Sequence, residues 1–102
     1  MNIEQITKLL SQGEDQTIEF KLSFNKQAIE TIVAFSNKKG GKLLLGISDK
    51  GETVGIELNS ESIQNWQNEI KTKTEPSIFP EIEEFQFLGV LIDDLFLMIN
   101  VL

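Results

Sequence analysis

Glu14, Glu19, Lys21 and Asp49 are the residues of this chain whose types and spacing could do chemistry. Two or three carboxylates converging on one point would hold a hard divalent cation such as Mg²⁺ or Mn²⁺, which prefers oxygen ligands. A cation there could activate water and polarise a phosphodiester, with Lys21 steadying the charge that develops. Glu19 and Lys21 are two residues apart in an alternating segment, so they share a strand face. Glu14 precedes that strand and can fold back over it, and Asp49 ends the next strand. The competing reading makes Glu19 and Lys21 a solvated ion pair, Glu14 a surface acid and Asp49 a turn residue.

A second candidate is Asn37-Lys38-Lys39-Gly40-Gly41-Lys42. Adjacent glycines allow backbone N–H groups to approach an anion, and Lys38, Lys39 and Lys42 surround them. The spacing is not that of a phosphate-binding loop, and the segment leads from helix to strand rather than strand to helix. Read structurally, it is a helix stop with solvated lysines.

The elements that must position these residues follow from periodicity. Residues 2–12 predict a helix capped by Asn2, with Ile3, Ile6, Leu9 and Leu10 in one stripe and Gly13 at its end. Residues 17–22 alternate, so that Ile18, Phe20 and Leu22 point one way and Thr17, Glu19 and Lys21 the other. Residues 26–37 predict a second helix, capped by Asn25, with Ala28, Ile29, Ile32 and Val33 on its apolar face. Lys42 to Ser48 is nearly continuously apolar, as in a central strand buried on both faces. Asp49-Lys50-Gly51-Glu52 predicts a hairpin turn into a short return strand, 52–56. A third helix, capped at Asn59 or Ser60 and reaching Thr74, carries Ile63, Trp66 and Ile70 as its ridge. Pro76 and Pro80 bracket a loop. Residues 82–92 and 95–101 predict two last strands turning at Asp93-Asp94. The expected fold is α+β: a mixed sheet with three helices, a helix followed by βαββαββ, with a right-handed crossover over 17–48. Trp66 and most of Phe20, Phe35, Phe79, Phe85, Phe87 and Phe96 are expected in the core.

The 102 residues make one domain, 1–102, with 40% hydrophobic and 25% charged residues. The absence of Cys and His removes disulfides, thiolate and imidazole metal sites, and imidazole catalysis. The net charge of −7 is uneven. Residues 1–50 hold seven Lys and six acids, whereas 51–102 hold two Lys and ten acids. There is no Arg, the best bidentate reader of phosphate and guanine. No signal-peptide pattern opens the chain, and Leu88–Leu102 is too short and too charged to span a bilayer, so the expectation is a cytoplasmic protein without membrane attachment. The chain stops straight after an apolar strand, as expected of the N-terminal fragment of a longer protein.

Three blocks occur in a fixed order: Glu14-x₄-Glu19-Phe20-Lys21; Ala34-Phe35-Ser36-Asn37 with Gly40-Gly41; and Gly46-Ile47-Ser48-Asp49-x-Gly51 with Gly55-Ile56. Together they resemble the Schlafen/AlbA-like DNA-binding domain family, also called divergent AAA-type and found in RecG-related transcriptional regulators. The resemblance implies a nucleic-acid-binding domain of a bacterial transcriptional regulator, with DNA or RNA as partner and a homo-oligomer as the working form. It also implies an alternative, since related animal domains cleave RNA with acids matching Glu14, Glu19 and Asp49 beside a Lys matching Lys21. That would make the chain a Mg²⁺- or Mn²⁺-dependent endoribonuclease centre. The nuclease form has two lobes where this chain has one, and the ATP binding implied by the AAA label has no matching phosphate loop here. A third alternative, drawn from the acidic C-terminal half, is a sensor or protein-interaction module.

Overall fold

The computed structural model describes residues 1–88 and 93–102, and the side chains outside 87–94. Helix α1 (Ile3–Gln12) starts at a reciprocal cap. Asn2 Oδ1 accepts the Gln5 N–H and Gln5 Oε1 accepts the Asn2 N–H, both at 2.9 Å. Strand β1 (Ile18–Lys21) follows, then α2 (Lys26–Ser36), capped by Asn25, and β2 (Gly41–Leu45). Helix α3 (Ser62–Lys73) and strands β3 (Glu81–Leu88) and β4 (Asp93–Val101) complete the chain. The sheet order is β1-β2-β4-β3. β1 and β2 are parallel, and the other two pairs are antiparallel. This is the expected α+β class, and β2 is indeed central, with Leu43, Leu44 and Leu45 fully buried.

Alternation along the strands divides the core into two layers. One face of the sheet presents Leu43, Leu45, Leu97, Ile99 and Val101 to α2 and α3. The other presents Ile18, Phe20, Leu44, Phe96 and Met98 to Ile6, Leu9 and Leu10 of α1. Phe24 stacks on Trp66 at 5.0 Å, which makes Trp66 a core-edge residue as expected.

Five expectations are corrected. The return strand 52–56 is a single bridge, Ile47 to Thr53, because Gly46 takes φ 90° and its carbonyl accepts both the Val54 and Gly55 N–H groups. Leu22 lies beyond β1 and is 57% exposed, so it does not join Ile18 and Phe20. Helix α3 begins at Ser62, because Asn59 instead accepts the Glu61 N–H in a tight turn. Phe79 is 73% exposed and belongs to neither layer. Asp93 and Asp94 lie within β4, and Leu88 pairs with Asp93, so the reversal is not at the two acids. The remainder of the expected 82–92 strand, residues 89–92, and the expected core placement of Phe87 lie outside the description.

Candidate functional site

β1 is an edge strand, and short acidic segments close its outer side. The Asp15 and Ile18 backbones exchange hydrogen bonds of 3.1 and 3.4 Å. The Phe20 N–H, which also points outward, donates to Glu14 Oε1 at 2.9 Å. Glu14 therefore folds back along the edge of β1, where its carboxylate satisfies an otherwise unpaired donor and blunts the edge against another strand. Asp15 accepts the Thr17 N–H at 2.7 Å and the Thr17 hydroxyl at 2.9 Å. These bonds, the backbone one foremost, hold its carboxyl below the ordinary value. Replacing Glu14 by Ala should cost about 1–3 kcal/mol, since it leaves the Phe20 N–H without its charged acceptor. Glu14→Gln keeps an acceptor oxygen and should recover most of that. Urea unfolding of the two variants checks the difference.

Glu19 and Lys21 share a face and form an ion pair of 3.5 Å. Their registers opposite Leu43 and Leu45 put them on the α2/α3 side of the sheet. Asp49 is exposed in the turn after β2, which closes through Gly51 N–H to the Ser48 carbonyl and Ser48 N–H to the Glu52 carbonyl, both at 2.9 Å. A side chain on Gly51, which takes φ 80°, would meet the Leu10 carbonyl oxygen at 2.6 Å and come within 3.6 Å of the Phe20 ring, so the turn leans toward α1. Glu19 thus lies on the α2/α3 side of β1, Glu14 at its outer edge, and Asp49 in a depression with Leu22, Ser48, Lys50 and Glu52. Among the described residues, no group of three or more acids is close enough to hold a metal ion jointly.

The lysine segment lies at the other end of the parallel pair. α2 ends through Gly40 N–H and Lys38 N–H, both donated to the Phe35 carbonyl, at 2.9 and 3.1 Å. A side chain on Gly40 would meet the Val101 carbonyl oxygen, and one on Gly41 would meet the Phe35 ring at 2.6 Å. Both glycines are there for close packing. The Gly40 and Lys42 N–H groups are already used, the former by the Phe35 carbonyl and the latter by the Thr17 carbonyl at 2.7 Å. Lys42 donates to Asn100 Oδ1 at 3.2 Å. Lys39, Lys42, Asn100 and Thr17 line a groove of about 330 Å³ whose apolar wall includes Leu9 and Ile18. Asn100 was not singled out by sequence reasoning. Its only signal was a polar residue interrupting the apolar run 95–101.

The family model described as Schlafen, AlbA_2 matches residues 14–101, which contain both the edge acids and the lysines and Asn100 of the groove. The chain is a member of the Schlafen AlbA_2 family. An uncharacterized ATP-binding protein of Ureaplasma parvum serovar 3 is 36% identical over 74 residues, covering 69% of this chain and 21% of that protein. The chain therefore spans about a fifth of that relative's length. In this Schlafen AlbA_2 domain the three sequence blocks map onto β1 and its edge, the α2–β2 corner, and the turn after β2. No helix among the described residues is long and apolar enough to cross a membrane.

Proposed function

We infer that this domain binds nucleic acid through the groove between Lys39, Lys42 and Asn100, with Lys38 beside it. The observation that carries the reading is local charge. On a chain with 16 acids and nine Lys, that groove is lined by two lysines and, among the described residues, by no acid. Clustered ammonium groups release counterions from a phosphate backbone, which is the main source of non-specific affinity. The glycines shape the corner, and the lysines and Asn100 make the contact. Within a longer protein, the domain would serve as the DNA-binding part of a transcriptional regulator, working as a homo-oligomer in the cytoplasm. We assign the ATP-binding designation of the Ureaplasma relative to the parts of that protein outside the match, because the helix-to-strand Gly40-Gly41 corner is not a phosphate loop.

Fluorescence anisotropy with labelled DNA and RNA tests this across a salt series. The doubly substituted Lys39→Gln/Lys42→Gln protein should bind about tenfold more weakly, and its log affinity against log salt should be shallower by roughly 1.5. An unchanged slope removes the groove from the interface.

The second reading is metal-dependent RNA cleavage by Glu14, Glu19 and Asp49, with Lys21 beside them. Its support is the family match over the segment that holds all four residues, and the 3.5 Å pair that sets Lys21 beside Glu19. It requires Mn²⁺-dependent turnover that Glu19→Gln abolishes without unfolding the domain. Cleavage that survives Glu19→Gln would exclude this centre.

A further inference from the structure

We propose that the ligand of this end of the domain is single-stranded nucleic acid, with Phe79 stacking on a base while Lys39 and Lys42 hold the neighbouring phosphates. The proposal rests on the nucleic-acid reading and names its substrate class. Two grooves meet at Val101 and Leu102. One is the lysine groove, and the other, of about 280 Å³, is lined by Ser36, Asn37, Glu75, Phe79 and Pro80. Lysine and aromatic are thus carried by adjoining depressions on either side of the end of β4.

Phe79 is not needed by either core layer. Phe20, Phe35 and Phe96 are buried and Phe24 and Phe85 are packed against the core, while Phe79 stands 73% exposed. Nor is it on a loose tether. Ile78 packs on the α2/α3 layer, and its N–H donates to Thr74 Oγ1 at 2.9 Å. The Thr74 hydroxyl donates to the Ile70 carbonyl at 2.7 Å, and the Ser77 hydroxyl to the Lys71 carbonyl at 2.9 Å. The loop is pinned to the end of α3, so the ring is presented at little ordering cost.

Charge divides the labour. Glu75 lines the groove that holds Phe79, which repels phosphate there and leaves the ring to a base. The acid-free lysine groove takes the phosphates. A duplex keeps its base faces stacked inside, so an exposed ring beside a basic groove favours unpaired bases.

The test uses anisotropy with labelled oligothymidylate and a duplex of equal length at low salt. Phe79→Ala should weaken single-strand binding about tenfold, leave duplex binding unchanged, and be compensated by Phe79→Trp. The Lys39→Gln/Lys42→Gln protein should weaken both. If Phe79→Ala leaves the single-strand affinity intact while the lysine substitutions lower it, the stacking proposal is overturned and the nucleic-acid reading survives. If the unaltered protein binds neither probe, that reading itself fails. Phe79 is exposed, so loss of folding does not confuse the result.

Discussion

Gly40→Ala should destabilise the domain by about 3 kcal/mol or more, because two costs act at once. At φ 92° an L-residue is strained by about 1–2 kcal/mol. The added methyl would also meet the Val101 carbonyl oxygen, which is backbone and held in the β2–β4 ladder by the Gly41–Val101 pairing. Overpacking of that kind costs a further 1–3 kcal/mol, roughly, because a whole strand end must move. Gly13 separates the terms. It has φ 82° at the end of α1, and a methyl there meets nothing within 4 Å. Gly13→Ala should therefore show the conformational cost alone. Denaturant midpoints of the two variants, read against the parent, test whether close packing or backbone freedom fixes Gly40. Equal effects would mean that the β4 end yields and that packing is not what holds it. For a domain with a total stability of roughly 5–15 kcal/mol, the Gly40 change is a large fraction. It also reaches function, since the displaced strand end carries Asn100 and Val101 into the lysine groove.

The sequence was legible where one local rule decided the outcome. Asn2 and Asn25 cap their helices because short polar side chains reach the free amides of the first turn. Leu43 to Leu45 read as a central strand because residues buried on both faces leave no polar alternation. It was less legible where a distant partner decided. The segment after Gly51 has strand-like residues, yet its amides are taken by the Gly46 carbonyl and, for Ile56, by the Leu95 carbonyl at 2.8 Å. Nothing local announces those partners. The acids show the same limit. Spacing put Glu19 and Lys21 on one face, as found, but Glu14's role depends on β1 being an edge strand, which only the sheet order reveals. Asn100 and Phe79 gain meaning only once β4 brings its end between the two grooves.

Phe20→Ala should cost about 3–5 kcal/mol, the range for emptying a large buried aromatic site. Phe20 is 1% exposed and lies among Ile6, Leu9, Leu10, Leu44 and Met98, so no solvent-facing side chain can collapse into the space. The loss should not stay in the α1 layer. The Phe20 ring reaches within 3.6 Å of the position a Cβ would take on Gly51, and its backbone N–H is the donor that holds Glu14. Removing the ring takes away the surface on which the Asp49 turn rests, while leaving the turn's own two hydrogen bonds intact. Amide exchange at Gly51 should therefore quicken by more than global destabilisation accounts for. Leu22→Ala is the matched comparison. Alternation alone puts Leu22 on the same face, but it stands 57% exposed beyond the end of β1, so its removal should change stability by less than about 0.5 kcal/mol. If the two substitutions cost the same, the face assignment of β1 is wrong. If they differ as expected, Phe20 is the residue that keeps the turn on the α1 side.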